Sequence, residues 1–336
     1  MKKASDMDGH AQPLVSVMTP IYNGERHLPQ CVESVLAQTY RHWDYVIVDN
    51  CSTDRSLEIA QRYAQQDGRI RVHRNKRFVS VWENHHIGFR QMTPESGYCK
   101  VVHADDWLFP DCIRRMVEVG EAHPSVGVVS AYRLDNTWPN LGGISYPTTA
   151  VPGRDICRQT LLRFAHVFGS PTSLLLRSDC IRERERFYDE EHFPRHADTA
   201  ACYEVLQRWD LGFVHEILTY TRRPEKALTS FNREVNSYLA EGVAMLMKYG
   251  PIYLDREECE HYQRQWTKAY RWFLGRNMVQ RRGEKFWDYH RTMQGSLGWP
   301  LNPARLLGAL LLDATQAVAS HLRVARRMLP FRRSLL

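Results

Sequence analysis

The sequence has no Cys-x-x-Cys pair, no Walker phosphate loop and no Gly-x-Gly-x-x-Gly fingerprint. These absences argue against zinc-ribbon, dithiol-redox, P-loop and dinucleotide-binding chemistry. No apolar run approaches the ~20 residues a membrane helix needs; the longest candidate is residues 306–312. The amino-terminal MKKASDMDGHAQP lacks the apolar stretch of a signal peptide. Internal repeats and low-complexity segments are also missing, which removes solenoids and propellers. The eight cysteines are scattered and mostly lie in periodic apolar segments, as expected of reduced core residues in a cytoplasmic protein. His85, His86, His192 and His215 fit no zinc spacing, and Pro194 separates His192 from His196.

What is present is an ordinary globular composition, 43% hydrophobic and 25% charged over 336 residues, enough for one large domain or two modest ones. The net charge of +7 permits attraction to nucleic acid, anionic lipid or phosphorylated substrates without choosing among them. Much of the excess sits at the carboxyl end, with Arg323, Arg326, Arg327, Arg332 and Arg333. No nucleic-acid-binding motif accompanies it, so no nucleic-acid partner is expected.

Strand and helix patterns alternate from residue 14. An apolar run at 14–19 stops at Pro20, and helical spacing follows from 25 to 37 through Leu28, Val32, Val35 and Leu36. YVIV at 45–48 is a second buried strand ending at Asp49, and Ser52, Thr53 and Asp54 cap a helix reaching about Gln66. A short strand at 70–73 and a helix at about 79–92 lead to the strand at 98–103. A helix at 111–122 and a strand at 126–130 follow. Residues 136–154, rich in Pro, Gly and Thr, read as an irregular loop. Beyond it come a helix at 156–167, a strand at 172–176, a helix opened by His196-Ala197-Asp198-Thr199 and a strand at 212–220. The order predicts an α/β fold with a mostly parallel sheet, its functional groups following the strands. After a soft boundary near Pro224 the pattern is mostly helical.

The stretch YCKVVHADDWLFP at 98–110 stands out. Two adjacent carboxylates, Asp105 and Asp106, at the end of a buried strand are costly to desolvate without a cation, which points to a divalent metal holding a phosphorylated ligand.

Five ordered motifs carry a resemblance: VSVMTPIYNGE, SVLAQTYRHWDYVIVDNCSTD, VVHADDWLFPD, HADTAACYEVL and GFVHEILTYTRR, together spanning about residues 14–220. The chain resembles the inverting glycosyltransferases of family 2, which have the GT-A fold. The resemblance implies a flexible terminus at 1–13 and a GT-A domain at 14–223, divided into a nucleotide-binding half (14–110) and an acceptor half (111–223). A helical region occupies 224–336. It implies contacts from Pro20, Tyr22 and Glu25 to the nucleotide base and ribose, and from Asp49 to the imide N–H of uracil or thymine, hence a UDP- or dTDP-sugar donor. The family commonly has an acid where Asn50 stands and a Gly where Cys51 stands.

In the metal motif, usually Asp-x-Asp, His103 replaces the first acid. Asp105 is then the ligand for Mg2+ or Mn2+, and His103 is a neutral group able to meet a ribose hydroxyl or Mn2+. Asp106 is expected to support or cap. Asp198 stands where the family carries the general base, with an N-cap role as the plain alternative and His196 as the nearest substitute. Arg222 and Arg223 follow the last strand, where the resemblance implies a segment closing on the donor diphosphate. The acceptor is expected to be a glycan or lipid-linked hydroxyl. The basic tail at 304–336 reads either as a packed amphipathic helix or as one lying on the anionic inner face of a membrane. A noncatalytic nucleotide-binding scaffold on the same fold remains the alternative reading.

Overall fold

The computed structural model describes residues 12–163, 165–222, 232, 234–280, 282–299, 304, 306 and 308. Arg223 and nearly all of 304–336 lie outside the described residues, as do residues 1–11. The chain divides into two compact units, Met1–Ala227 and Leu228–Leu336.

The first unit is built on β1 (Val15–Ile21), α1 (Leu28–Leu36), β2 (Trp43–Asp49), α2 (Ser56–Gln66), β3 (Ile70–Arg74), α3 (Val81–Arg90) and β4 (Tyr98–Val101). It continues through β5 (Trp107–Leu108), α4 (Cys112–Ala122), β6 (Val126–Asp135), β7 (Trp138–Asn140), β8 (Ala150–Val151) and α5 (Gly153–Leu161). A 3-10 turn (Pro171–Ser173), β9 (Leu174–Arg177), α6 (Ser178–Arg182), α7 (Ala197–Val205) and β10 (Asp210–Thr221) complete it.

One sheet runs β3-β2-β1-β4-β9-β6-β10-β5, with β7 against β6 and β8 against β10. The pairs β3–β2, β2–β1, β1–β4 and β6–β10 are parallel, whereas β9 runs antiparallel to both β4 and β6. The carboxyl ends of β1, β2, β3, β4, β6 and β10 therefore share one edge, where α/β sheets collect their ligands.

Buried strands with little polar surface explain the sheet's centre: Val15, Val17, Tyr45, Ile47, Tyr98, Val126 and Val129 are at most 1% exposed. Each such aliphatic side chain contributes about 1.5–3 kcal/mol over its exposed state. Helices α1 and α4 bury Leu28, Val32, Val35, Ile113, Met116 and Val117 into the same core. Helix α3 approaches β1 closely. A Cβ on Gly88 would fall 1.8 Å from the Met18 sulfur, so only glycine fits there.

Several expectations change. Pro20 does not end β1, because it lies beyond Met18, where pairing with β4 stops, and β2 alone continues alongside it. The 136–154 segment holds two short strands. Their pairing to β6 and β10 is a tertiary event that local composition does not announce. The first helix starts at Leu28 rather than Glu25, and α5 spans Gly153–Leu161 rather than 156–167.

Lys100 interrupts the apolar β4 run yet is 0% exposed. Its Nζ donates to the Thr172 and Leu174 carbonyls at 2.7 and 3.0 Å, pinning the turn before β9 beside the end of β4. Burial lowers its pKa.

The second unit contains α8 (Ser237–Tyr253), α9 (Arg256–Val279) and α10 (Glu284–Ser296). Asp255 caps α9 by accepting the Glu258 N–H at 2.8 Å. Inside this unit the Tyr289 hydroxyl donates to Glu241, and Tyr270 pairs with His290 at 2.8 Å.

Candidate active site at the carboxyl edge of the sheet

The loops after β1 and β2 are laced together. The backbone N–H groups of Asn23, Gly24 and Glu25 donate to Ser52, Ser56 and Asp54, while Thr53 and Arg55 donate back to the Asn23 and Glu25 side chains. Glu25 thus has one carboxylate oxygen holding the start of α2, at 3.0 Å from the Arg55 nitrogen. Burial raises the Asp54 pKa, but hydrogen bonds from Ser56 and the Glu25 backbone outweigh it, and the net shift is downward. Asp54 is not the helix N-cap. Helix α2 begins at Ser56, and Asp54 ties its first N–H to the neighbouring loop.

Asp49 ends β2 fully buried. Its carboxylate receives the Ser52 N–H at 3.2 Å and lies 4.0 Å from Arg74. Asn50 points into a separate amide network, accepting from Asn75 and Val79 and donating to the Val79 carbonyl. Its place is structural, so a carboxylate there would lose that donor. Cys51 adopts φ +60, a left-handed backbone that costs a side-chain-bearing residue about 1–2 kcal/mol. Cys51→Gly is expected to raise stability by about 0.5–1 kcal/mol, read from the urea midpoint. An unchanged or lower midpoint would contradict this.

Tyr22 is exposed and meets the equally exposed Phe78 edge-on at 4.8 Å between ring centroids. The sequence pattern does not single out Phe78, because the loop from β3 to α3 has no periodic signal, nor Arg74, which closes the short strand β3.

The end of β4 leads into the carboxylate pair. The His103 N–H donates to the Thr172 hydroxyl, and the Asp106 N–H closes a turn onto the His103 carbonyl. Asp106 is 3% exposed. It accepts the Arg222 N–H at 3.1 Å and faces the Thr221 hydroxyl. Burial, followed by the charge of Asp105, pushes Asp106 up to about 7. The two carboxylates therefore do not present a full double charge at neutral pH.

Asp105 is half-buried, and its carboxylate has no hydrogen-bond or ion-pair partner among the described residues. It is the acid left free to ligate. Arg222 is fastened beside it: Nε donates to the Asp105 carbonyl at 3.2 Å, Nη2 donates to Gln30, and the guanidinium lies 5.4 Å from the Trp107 ring. Trp107 stacks on Tyr220 with 3.5 Å between centroids, joining this turn to the end of β10.

His103 meets His85 of α3, Nε2 to Nε2, at 3.2 Å. Burial lowers both pKa values, that of His85 to about 3.

Asp198 is the second residue of α7, whose N-cap position is His196, so the N-cap reading does not hold. It borders a small cavity of about 10 Å³ walled by Val101, Leu174, Leu176, Tyr188 and Cys202, roughly the space of one water. Burial in these apolar walls pushes the carboxyl up to about 6, against the Thr199 backbone hydrogen bond, which lowers it. His196 is driven down to about 4 by burial, then by Arg163 and Arg195, which makes it a weak base.

Among the described residues, no three His, Cys, Asp or Glu side chains converge as a metal cage. A free carboxylate at a strand end instead suits a hard cation that takes most of its shell from phosphate oxygens and water.

Residues 16–182 match the model of glycosyl transferase family 2. The chain is 31% identical over 149 residues to glycosyltransferase GlyG of Streptococcus pneumoniae, covering 44% of this chain and 47% of GlyG. It is 34% identical over 125 residues to the putative glycosyltransferase EpsE of Bacillus subtilis, covering 36% and 44%. The chain thus spans less than half the length of these curated relatives. Among solved structures, Staphylococcus aureus TarS bound to UDP-GlcNAc superposes with a TM-score of 0.57 at 15% identity, covering 76% of this chain and 71% of that one. A mannosyltransferase of Pyrobaculum calidifontis in complex with GDP-Man and Mn2+ gives 0.53 at 14% identity, covering 90% and 88%. These structural likenesses establish the shared fold.

Proposed function

Since its residues 16–182 make this chain a member of glycosyl transferase family 2, we propose that it is an inverting, metal-dependent glycosyltransferase. In this reading it moves a sugar from a UDP- or dTDP-sugar to a hydroxyl of a glycan or lipid-linked acceptor, in the synthesis of a cell-surface polysaccharide or glycoconjugate. The observation that carries the proposal is that three acids of the first unit stand in unlike settings: Asp49 buried at a strand end, Asp105 without a partner among the described residues, and Asp198 raised by apolar walls.

Tyr22 and Phe78 offer ring faces for the base, and the Asp49 carboxylate accepts an imide N–H that uracil and thymine possess and cytosine lacks. Pro20 and Glu25 shape the ribose side of this pocket, Glu25 while tied to Arg55. Asp105 would hold the metal, with His103 beside it. Bound there, a divalent cation supplies positive charge for the departing diphosphate. Arg222, fixed to the Asp105 carbonyl, adds a permanent cation to the same wall. Asp198, within about 3 Å of the acceptor hydroxyl, takes its proton as that oxygen attacks the anomeric carbon opposite the leaving group.

A thermal-shift panel of nucleotide sugars with and without Mn2+ tests the donor half. UDP- or dTDP-sugars with Mn2+ are expected to stabilise the protein by about 2.7 kcal/mol at a hundredfold excess over Kd. A response to GDP- or CDP-sugars alone would overturn the Asp49 assignment. Binding without transfer across a broad acceptor panel would favour the scaffold reading.

A further inference from the structure

Asn50 follows Asp49 at the end of β2 and is 3% exposed. Its side-chain amide meets the backbone of Val79 twice: Oδ1 accepts the Val79 N–H at 3.0 Å, and Nδ2 donates to the Val79 carbonyl at 2.9 Å. A backbone N–H only donates and a carbonyl only accepts, so this pairing fixes which way round the amide stands. A third bond reaches Oδ1 from Asn75 Nδ2 at 3.0 Å, and the Asn75 N–H donates to the Asp49 carbonyl at 2.9 Å. On the other side, the Asn50 N–H donates to the Ile21 carbonyl at 2.9 Å. Residues 49 and 50 thus hold the end of β1 and the loop from β3 to α3 together.

The neighbours of the two held points are rings that the core does not take up. Tyr22 follows Ile21 and is 51% exposed; Phe78 precedes Val79 and is 61% exposed. Their centroids lie 4.8 Å apart with the ring planes at 62°. Exposed aromatic surface of this kind, next to a buried carboxylate, suits the flat face of a nucleotide base.

We propose that Asn50 is a positioning residue for that base: by bonding both backbone groups of Val79 it holds Phe78 against Tyr22, and the paired rings form the stacking wall beside Asp49 for the base of a nucleoside diphosphate. An ionised aspartate at this position would still accept the Val79 N–H, but it would set an oxygen against the Val79 carbonyl oxygen. The amide satisfies both groups, and the acid satisfies one. The inference rests on the donor reading above.

Two measurements on the full chain test it. Without ligand, nuclear Overhauser contacts between the Tyr22 and Phe78 rings are expected in the wild type and should vanish in Asn50→Asp. Calorimetric titration with UDP and Mn2+ is expected to show Phe78→Ala and Asn50→Asp each weakening binding about tenfold, as for the loss of a stacked ring. In the Phe78→Ala background, Asn50→Asp should cost less than about twofold, because the ring it places is gone, whereas a merely structural loss would cost the same in both backgrounds. Phe78→Ala alters an exposed side chain, so it keeps the test decisive if Asn50→Asp does not fold. Wild-type affinity in Phe78→Ala, an equal cost of Asn50→Asp in both backgrounds, or ring contacts that survive Asn50→Asp overturns the inference. Failure of the wild type to bind any nucleoside diphosphate overturns the donor reading and the base role together, and the ligand-free spectra separate that outcome from a wrong placement of Phe78.

Discussion

Asp198→Asn is expected to cut transfer by about 10²–10⁴-fold and, at pH 8, to make the protein more stable. Both effects follow from one environment. Burial lifts the Asp198 carboxyl from 3.8 to about 6 in the folded protein, while the unfolded chain titrates near 3.9. A raised acid favours the folded state when protonated. Its contribution is complete below about pH 4 and is lost as pH rises through about 6, because the charged form is then held among apolar walls. Asparagine has similar size and no charge. The stability difference between variant and wild type should therefore be small at pH 4, grow up to pH 6 and level off above it, at about 1–3 kcal/mol. Urea denaturation across that range reads it directly. The wild-type rate should fall about tenfold per pH unit below pH 6 as the base becomes protonated. Turnover close to wild type in the variant, or a stability difference flat with pH, would remove Asp198 as the base.

The second large effect concerns the adjacent acids. Asp105→Ala is expected to abolish the Mn2+-dependent part of donor stabilisation and to lower turnover by about 10³-fold or more, with no loss of fold, because its carboxylate has no protein partner among the described residues. Asp106→Asn should behave differently. Asp106 accepts the Arg222 N–H and is raised to about 7 by burial and then by Asp105, so a neutral isostere stands close to its ordinary state. The metal response should survive in that variant. If Asp106→Asn lost the Mn2+ shift and Asp105→Ala kept it, the roles of the two acids would be reversed.

The motif resemblance and the placement of polar groups after the strands were readable because strand ends in an alternating α/β pattern leave little choice of edge. Asp49 and the turn at 103–106 sit where the periodicity places them. The short strands β5, β7 and β8 were not readable. Two or three residues carry no period, and they form only because β6 and β10 offer them a partner. Phe78 was missed for a similar reason: its meaning lies in Tyr22, fifty-six positions away in sequence and 4.8 Å away in space. His85 looked like one of several unplaceable histidines, since its 3.2 Å contact with His103 crosses from a helix to the turn after a strand.

By itself the sequence determined the α/β alternation, the family resemblance and which acids follow the strands, because these are carried by local period and ordered motifs. Only the tertiary structure decided how the acids differ. Asp105 is free, Asp106 is tied to the end of β10, and Asp198 is raised by the side chains of β4, β9 and α7. A carboxylate's pKa and its unused lone pairs are properties of what surrounds it, and those surroundings come from chain segments far apart in sequence.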